Sequence, residues 1–510
     1  MSYSPPKVTV NVVPNPRIIN IAGDVRLPAV VGPGPTTVYV TDEAVVRGVG
    51  AIDQLSAYPK TGLVITEIAK RSGLQYTSGS SSNAVDAIPG VNGSLYLPSG
   101  SVPVPGSGSI AGYTSNGSGL LTWSQDPANV TLGYVPPSGS TYFVSYNHPA
   151  TASQYLAQTF SDKNDLTNFY GAEGNVTGCL TIAGSIALEN GAPAVITCQV
   201  SGSISTQSYR DAIDKLRKKS NIEDILVVFP SGSLPTPTFR EDVHTYLFQH
   251  TQQMSIQGRW RGMFYGAGSA YYDAGGNVSD GIFDAIGDSS TPQSYIGKAV
   301  QYGEADVVLP APSYIWRFDS HNNRIELDGS YLAVAIAGVH AAQPLRSTPI
   351  TGFQLIGINM EEEKWDMFQM NNMGANGVCV VQNIGGIITI RDAITTDPTS
   401  ADTQEISVVS QKRLVERTLE DKLFDIYTNK GKTITPTTTR DVEASVRSIL
   451  NSLVQQGELY GYGVKDDPST GETRITAIQN KLEPRQIDVT CSCKYLYPFK
   501  FCVVTVSTFV

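Results

Sequence analysis

Three cysteines in the last twenty residues have the spacing of a candidate soft-metal site. Cys491 and Cys493 share one face of a predicted strand, and Cys502 follows them. Thiolates are the ligands that soft metals prefer. The same residues also suit a role as small buried apolar side chains, which we favour. Six cysteines in 510 residues are too few for a disulfide framework, so we expect reduced thiols and no bound metal.

Two glycine-containing segments resemble nucleotide-binding motifs only in part. The segment from Gly106 to Ala111 fits a dinucleotide-binding pattern, but it lies in a Ser/Gly/Pro-rich stretch where no strand feeds it and no helix follows. Gly431-Lys432-Thr433 resembles the end of a P-loop, yet Ile426 stands where the first glycine is needed. We therefore predict no cofactor, and Gly431 is better explained as a helix terminator.

The histidines do not form a catalytic or metal-binding pattern. None has the His-Glu-x-x-His spacing, and the sequence has no Gly-x-Ser-x-Gly elbow. His340 lies among alanines and Val339, which favours a packed, hydrogen-bonded side chain over a catalytic one. The run Glu361-Glu362-Glu363 is best explained as a solvated acidic surface. The sequence thus predicts no catalytic residue and no enzyme activity.

Charge and composition limit the classes of partner that the protein can bind. The formal net charge is -10 and no basic stripe is present, so direct nucleic-acid binding has no electrostatic source. Charged residues make up 16% of the chain, against roughly 25% in typical soluble proteins. A surface so poor in charge favours burial against other subunits, although Ser, Thr, Asn and Gly also cover surfaces.

Neither targeting nor membrane insertion is indicated. Residues 1–10 contain no apolar run of signal-peptide length, and the most apolar helical stretch, Tyr331 to Ala342, is too short to span a bilayer. We expect a soluble protein made in the cytoplasm.

Strand and helix patterns alternate from about residue 204. The strand Ile225–Phe229, the helix Arg240–Gln253 and the strand Met263–Tyr265 are typical of a mostly parallel sheet covered by helices. Two amphipathic helices follow, over about 407–428 and after Pro436. For the second, Thr438 and Asp441 fit a capping box and Gly457 marks the end.

The resulting fold class is α/β and α+β multidomain, at roughly 150 residues per domain. A central α/β domain carries a β-rich insertion domain and precedes a C-terminal α+β domain, with extended β-strand arms at both termini. The predicted boundaries are 1–30 for the N-terminal arm, 31–59 for the start of the central domain, 60–150 for the β-rich outer insertion, 151–345 for the central α/β domain, 346–486 for the C-terminal domain and 487–510 for the C-terminal strand or arm.

Valine-rich strands lie near both ends of the sequence. Val8, Val10 and Val12 share one strand face, and Val503, Val504 and Val506 lie in a strand that is apolar on both faces. A strand edge exposes unpaired backbone N–H and C=O groups. It must pair within its own domain or enter a sheet of a neighbouring molecule, and the residues alone leave both options open.

From Tyr331 onward the sequence resembles the C-terminal region of contractile phage tail sheath proteins. The similar segments are Tyr331–Ala342, Ile350–Gly357, Gly377–Ile390, Arg391–Thr396, and the helix with Lys412–Arg417, together with Val30–Pro35 near the start. These patterns cover roughly the last 180 residues and the first 40. Residues 60–150 and much of the central domain match no pattern of the family, whose variable domains project outward.

The resemblance implies a structural subunit that forms stacked hexameric rings around a tail tube and contracts from a metastable extended state. It also implies that both arms thread into sheets of neighbouring subunits, and that the partners are the chain itself, the tail tube protein, and baseplate and tail terminator proteins. The expected location is the virion tail, assembled in the host cytoplasm. Alternatives are a bacteriocin or injection-system sheath, an α/β enzyme, and a glycan- or receptor-binding surface protein.

Overall fold

A computed structural model of the chain describes residues 27–33, 39–47, 64–69, 94–96, 113–115, 120–123, 141–149, 157–171, 173, 178–200, 204–219, 221–230, 236–268, 271–272, 278–279, 286–291, 294–319, 322–362, 364–428, 433–482 and 487–498. The chain divides into two compact units, residues 35–156 and the remainder.

The first strand, β1 (Leu27–Pro33), belongs to the larger unit and is buried along its whole length. The predicted boundary between arm and central domain, at residue 30, falls inside this strand. Among its described residues, the smaller unit contains two three-stranded antiparallel sheets, in the orders β2-β7-β3 and β4-β6-β5. Its strands are β2 (Tyr39–Arg47), β3 (Val64–Ala69), β4 (Ser94–Tyr96), β5 (Tyr113–Ser115), β6 (Leu120–Trp123) and β7 (Thr141–Pro149).

The smaller unit starts earlier in the chain than the predicted insertion at residue 60. The reason is strand pairing, because Tyr39 of β2 lies opposite Pro149 of β7 and the ladder continues to Arg47 opposite Thr141. Residues 39–47 are thereby joined to the β-rich unit rather than to the central sheet.

The larger unit is built on a six-stranded sheet in the order β14-β11-β10-β1-β9-β8. All neighbouring strands run parallel except β8, which is antiparallel to β9. The strands are β8 (Gln158–Phe160), β9 (Val195–Val200), β10 (Ile222–Val227), β11 (Gly262–Phe264) and β14 (Val307–Val308), and a separate hairpin is formed by β12 (Tyr271–Tyr272) and β13 (Val278–Ser279). Parallel pairing agrees with the alternating strand and helix patterns of the sequence.

Helices cover both faces of this sheet. They are α1 (Lys163–Tyr170), α2 (Cys179–Glu189), α3 (Thr206–Lys215), α4 (Pro237–Ile256), α5 (Tyr295–Tyr302) and α6 (Gly329–Ala342). Ala29 and Val31 share a buried cluster with Tyr209 of α3, Val243 of α4 and Tyr295 of α5. On the other face a Cβ at Gly32 would meet Leu180 of α2, and α2 packs against α6.

A second sheet extends the larger unit, in the order β15-β18-β19. Its strands are β15 (Pro310–Ala311), β18 (Cys379–Ile384) and β19 (Ile387–Ile390), and a hairpin of β16 (Tyr314–Phe318) and β17 (Arg324–Asp328) leads into α6. Helix α7 (Met367–Ala375) packs on β18.

The C-terminal part contains α8 (Ala401–Gln404), α9 (Ile406–Leu423) and α10 (Pro436–Gln455). A π-helical turn, Phe424–Thr428, extends α9, so the predicted span of 407–428 agrees closely. Strands β20 (Gly461–Tyr462) and β23 (Cys493–Lys494) pair, as do β21 (Thr476–Gln479) and β22 (Ile487–Thr490). Residues 487–494, the start of the predicted C-terminal arm, therefore pair with strands of their own chain.

The predicted capping box of α10 was wrong by one turn. Thr435, not Thr438, is the N-cap residue, and its hydroxyl accepts a hydrogen bond from the Thr438 N–H while the Thr438 side chain returns to the Thr435 backbone. The cause is Pro436, which takes the first helical position because its missing N–H costs nothing there. The residue before a proline is kept extended, and Thr435 has φ -137° and ψ 166°.

Candidate assembly surface and buried charge cluster

All six predicted arm residues, Val8, Val10, Val12, Val503, Val504 and Val506, lie outside the described residues. The surface that we predict them to meet is described in part. Val415 of α9 and Val446 of α10 are buried in one apolar cluster, and Ile487 and Val489 of β22 pack against it. The two amphipathic helices thus form the support on which the C-terminal strands lie.

The two C-terminal sheets each have two strands within the described part of the chain. Each strand therefore has one lateral edge without a strand partner among the described residues. One of these edges is covered by a side chain, because Glu443 of α10 accepts a hydrogen bond from the N–H of Ala477 in β21, at 3.0 Å. A strand from another molecule could therefore pair more readily with the edge of β22 than with the edge of β21.

Exposed apolar side chains lie in the strands of these sheets or next to them in the sequence. The exposed fractions are 69% for Tyr460, 71% for Val464, 63% for Ile478, 96% for Leu482 and 52% for Tyr497. Grouped exposed apolar residues mark surfaces that bind other proteins, whereas single ones need no explanation. We call these five residues the apolar rim.

A surface cleft of about 610 Å³ lies beside the apolar rim. Its lining includes Tyr460, Cys493, Tyr495 and Tyr497, and the Tyr497 hydroxyl donates to Asp402 at its edge. Aromatic walls with a few polar groups suit an extended peptide better than a small charged ligand.

The candidate thiol site consists of two half-buried cysteines rather than a closed metal centre. The five described cysteines are free thiols. Cys491 and Cys493 form a hydrogen bond with each other. This bond lowers the pKa of Cys491 and raises the pKa of Cys493. Within the described residues no group of three or more His, Cys, Asp or Glu side chains could hold a metal ion. Cys502 lies outside the described residues, so the choice between a soft-metal ligand and a small buried side chain at this position stays a prediction.

Three side chains that are far apart in the sequence meet in a Ser–His–Asp arrangement. His340 Nδ1 lies 2.6 Å from Asp224 Oδ2, and His340 Nε2 lies 2.8 Å from Ser410 Oγ. The exposed fractions are 1% for Asp224, 1% for His340 and 0% for Ser410. A catalytic serine must reach its substrate, and this one is sealed. The arrangement instead ties β10, α6 and α9 together, in agreement with the packed histidine that the sequence predicts.

Arginines extend these contacts into a buried charge cluster, which we define as Glu223, Asp224, His340, Arg346, Arg413 and Arg417. Arg413 Nη1 lies 3.8 Å from Asp224 Oδ1, and its Nη2 lies 2.8 Å from Asp306 Oδ1. Glu223 pairs with Arg346 and lies 3.7 Å from Arg417.

Arg413 keeps its charge although it is buried. Burial alone would lower the pKa of Arg413, but the carboxylates of Asp306, Glu223 and Asp224 raise it above its usual value. The carboxylates of the cluster come from β10 and two of its arginines from α9. The cluster therefore joins the central sheet to the C-terminal helices.

The carboxyl edge of the parallel sheet, where open α/β sheets bind ligands, is filled by the chain's own side chains in its described part. Arg240 and Asp328 form a buried ion pair at 2.5 Å, and the Arg240 guanidinium lies 4.4 Å from the ring centre of Phe229, beyond β10. The Tyr331 hydroxyl donates to the Phe229 carbonyl at 3.1 Å. His244 accepts a hydrogen bond from the Gly266 N–H beyond β11, at 3.2 Å.

Sequence reasoning missed the buried charge cluster, although two signals pointed to it. Glu223 and Asp224 are adjacent acids inside the apolar strand β10, and His340 is the one basic side chain of helix α6, which has no acidic one. Buried charges are paired as a rule, so each signal predicted a partner without naming it. Every helix in the described part of the chain is too short or too polar to span a bilayer.

These features define a mixed α/β protein whose helix-covered parallel sheet is fixed to a C-terminal part with an apolar rim. No protein-family model matches the chain. A tail sheath protein of Mycobacterium phage Bxz1 is 23% identical over 384 residues, which is 74% of this chain and 59% of the phage protein. The chain thus spans less than two thirds of that relative.

Two solved structures are also similar to this chain, and the first of them shares its fold. The helical sheath of the anti-feeding prophage in its contracted state has a TM-score of 0.51 and 13% identity, over 69% of this chain and 88% of the other. A sheath tail protein of Listeria innocua has a TM-score of 0.44 and 8% identity, over 93% of this chain and 96% of the other. The resemblance to contractile tail sheath proteins that the sequence predicts is confirmed.

Proposed function

We propose that this chain is the structural subunit of a contractile tail sheath, which polymerises as stacked hexameric rings around a tail tube. The observation that carries the proposal is the sequence similarity to a tail sheath protein over 384 residues. The fold shared with the contracted anti-feeding prophage sheath supports it. That similarity also supports the second candidate, the sheath of an injection system or bacteriocin.

Assembly depends on β-augmentation in this proposal. The strands with Val8, Val10 and Val12, and with Val503, Val504 and Val506, enter sheets of neighbouring subunits, where main-chain hydrogen bonds join the copies. The described acceptor has suitable properties, since β22 keeps an edge without a strand partner in the described residues, and its paired strand β21 carries the exposed Ile478 of the apolar rim. The arms stay paired when the sheath contracts.

Contraction needs neither catalysis nor a cofactor in this mechanism. The extended sheath is metastable, and outer faces of the subunits bury more surface in the contracted lattice, at roughly 25 cal/mol per Å² of apolar area. A difference of a few kcal/mol per subunit suffices, because linked subunits switch together and their contributions add along the tube. The contraction drives the tube through the host envelope.

The partners are then further copies of the chain, the tail tube protein, and the baseplate and tail terminator proteins. The subunit is assembled in the host cytoplasm and ends in the virion tail, without direct nucleic-acid binding or membrane insertion. The net charge of -10 supports the absence of nucleic-acid contacts, because phosphate neutralisation requires basic residues.

Negative-stain electron microscopy of the purified chain, over a concentration and salt series, tests the proposal. We expect striated tubes or stacked rings, with tail tube and baseplate proteins added as nuclei where the chain alone stays dispersed. Single particles under every one of these conditions would refute the sheath function.

A proline variant tests the arm separately. Val10→Pro removes a ladder N–H and should abolish tubes while the circular dichroism spectrum of the monomer is unchanged. Val10→Thr is the matched control, because it keeps the N–H and the β-branched side chain, and it should assemble like the wild type. Tubes formed by Val10→Pro would refute the arm and leave the sheath function standing.

A further inference from the structure

Two cysteines meet where the chain leaves one C-terminal sheet and enters the other. Cys491 follows directly after β22, and Cys493 is the first residue of β23. Both side chains are half-buried and pack against the apolar cluster that contains Val415 of α9 and Val446 of α10. The two thiols form a hydrogen bond with each other. We call Cys491 and Cys493 the thiol pair.

Ser492, between the two cysteines, is held by three hydrogen bonds. Its hydroxyl donates to the Thr473 carbonyl and accepts from the Thr473 N–H, both at 3.0 Å. Its carbonyl accepts from the Gly463 N–H at 2.9 Å. Successive side chains of an extended chain point to opposite sides, so the fixed serine leaves both thiols on the side of the apolar cluster. The fold therefore holds the two sulfur atoms together before any reaction.

The spacing of the two residues permits a disulfide between them. Residues i and i+2 of an extended chain have Cα atoms about 6.4–6.8 Å apart, because each residue adds about 3.2–3.4 Å. Disulfides form at Cα separations of about 4.4–6.8 Å, so the thiol pair lies at the long end of this range. Since the thiols already contact each other, no large backbone movement is needed to join them.

The two thiols differ in protonation. The hydrogen bond to Cys491, burial and the carboxylate of Glu416 all raise the pKa of Cys493, which therefore stays protonated and donates. The same hydrogen bond lowers the pKa of Cys491 from 9.0 to about 7. At neutral pH about half of Cys491 is then thiolate, compared with a few per cent of an ordinary cysteine. The thiolate is the nucleophilic form, so Cys491 is the residue of the pair that reacts first.

Access separates the thiol pair from the other described cysteines. Cys179, Cys198 and Cys379 each have an exposed fraction of 0%. Burial raises the pKa of Cys198 and of Cys379 to about 12. Cys493, by contrast, lines the surface cleft of about 610 Å³. A small reagent can therefore reach the thiol pair and not the three buried thiols.

We propose that Cys491 and Cys493 are a reversible dithiol–disulfide pair that reacts with small disulfides. The Cys491 thiolate attacks one sulfur of the reagent, which forms a mixed disulfide and releases one reagent thiolate. Cys493 passes its proton to that thiolate and attacks the Cys491 sulfur. The second reagent thiolate leaves and takes up the proton that Cys491 had lost to solvent. Two protein thiols are thereby oxidised, and the reagent disulfide is reduced to two thiols.

Oxidised glutathione added to the full chain tests the proposal. After incubation the chain is denatured, its free thiols are blocked with N-ethylmaleimide, and it is cut with trypsin after lysine and arginine. Cys491 and Cys493 then lie in the peptide 486–494, and Cys502 lies in a separate peptide, 501–510. We expect an unblocked peptide 486–494 that is lighter by two hydrogen atoms than its reduced form. Dithiothreitol treatment should return it as a doubly blocked peptide.

A brief pulse of N-ethylmaleimide on the native chain separates the roles of the two thiols. Fragment-ion spectra should show Cys491 labelled at least tenfold faster than Cys493 and the buried Cys198. Cys493→Ala removes both the hydrogen-bond donor and the second thiol. It should slow the labelling of Cys491 at least threefold, and glutathione should stay on Cys491 as a mixed disulfide. Cys502→Ser is the matched control and should form the disulfide like the wild type.

Each outcome supports or overturns the pair. A peptide 486–494 that stays doubly blocked at every glutathione concentration would overturn it, and so would a disulfide to peptide 501–510 or between two chains. Equal labelling rates for the two cysteines would overturn Cys491 as the nucleophile. If Cys493→Ala loses the circular dichroism spectrum of the folded chain, the wild-type measurements decide alone. The pair belongs to a single chain, so either result leaves the sheath function untouched.

Discussion

Replacing Asp224 by alanine should loosen helix α9 from the central sheet. Asp224 accepts the hydrogen bond from His340 at 2.6 Å and lies 3.8 Å from Arg413, and the carboxylate is buried. The alanine variant leaves the His340 N–H without its acceptor. Arg413 keeps a second carboxylate, Asp306, at 2.8 Å.

The magnitude follows from these contacts. Removing one partner of a buried ion pair costs about 3–5 kcal/mol because the other charge stays buried. Asp306 still compensates Arg413, so we expect the lower end, about 3 kcal/mol, which corresponds to roughly a hundredfold change in an opening equilibrium. Asp224→Asn keeps an acceptor for His340 and should cost about half as much.

Amide hydrogen exchange followed by mass spectrometry is the appropriate assay, because it reports α9 separately from the rest of the chain. Peptides within Ile406–Leu423 should exchange roughly a hundredfold faster in Asp224→Ala. Asp211→Ala is the matched control, since Asp211 is exposed and bonds a surface glutamine. Equal protection of α9 in the control and in Asp224→Ala would refute the joining role of the cluster.

Two further changes test other features. Burial lowers the pKa of His244 from 6.5 to about 3, so its stabilising effect is complete above pH 6.5 and is lost as the pH falls towards 3. In His244→Gln, the free energy of unfolding measured with urea should change less steeply with pH in this window, by up to about 1.4 kcal/mol per pH unit. A slope equal to that of the wild type would contradict the lowered pKa of His244. Gly386 has a φ of 79°, so Gly386→Ala should lower the free energy of unfolding by about 1–2 kcal/mol in urea titrations. Gly461→Ala has open space and no such backbone constraint, and an equal loss there would argue against backbone strain.

Elements with strong local patterns were predictable from the sequence. Helix α4 was predicted over Arg240–Gln253 and spans Pro237–Ile256, because Thr236 caps it before the apolar pattern begins. The β-strand Ile222–Val227 starts earlier than predicted, since Glu223 and Asp224 hid its first residues. Polar residues inside a strand interrupt the apolar pattern from which the strand is predicted, because the groups that pair with them lie elsewhere in the chain.

The buried charge cluster was not predictable from local patterns. His340 is 116 residues from Asp224 and 70 residues from Ser410, so no motif spacing joins them. Three exposed isoleucines of the second sheet, Ile356, Ile384 and Ile387, were hidden for a related reason. Ile384 and Ile387 lie on β18 and β19, Ile356 lies in the segment that bridges to β19 at Gln354, and only the ladder register relates these positions. Exposure of a residue depends on tertiary packing, which the local sequence pattern does not contain.

The buried charge cluster also has a mechanical consequence. Apolar contacts are non-directional, so two surfaces joined by them alone can slide with little resistance. Hydrogen bonds of 2.6 and 2.8 Å through His340 weaken steeply with displacement and misalignment. A load applied along α9 is therefore transmitted to β10 as shear stress rather than lost as slippage. Because of this stiffness, a force applied to the C-terminal strands would displace the central sheet together with them, as one rigid body.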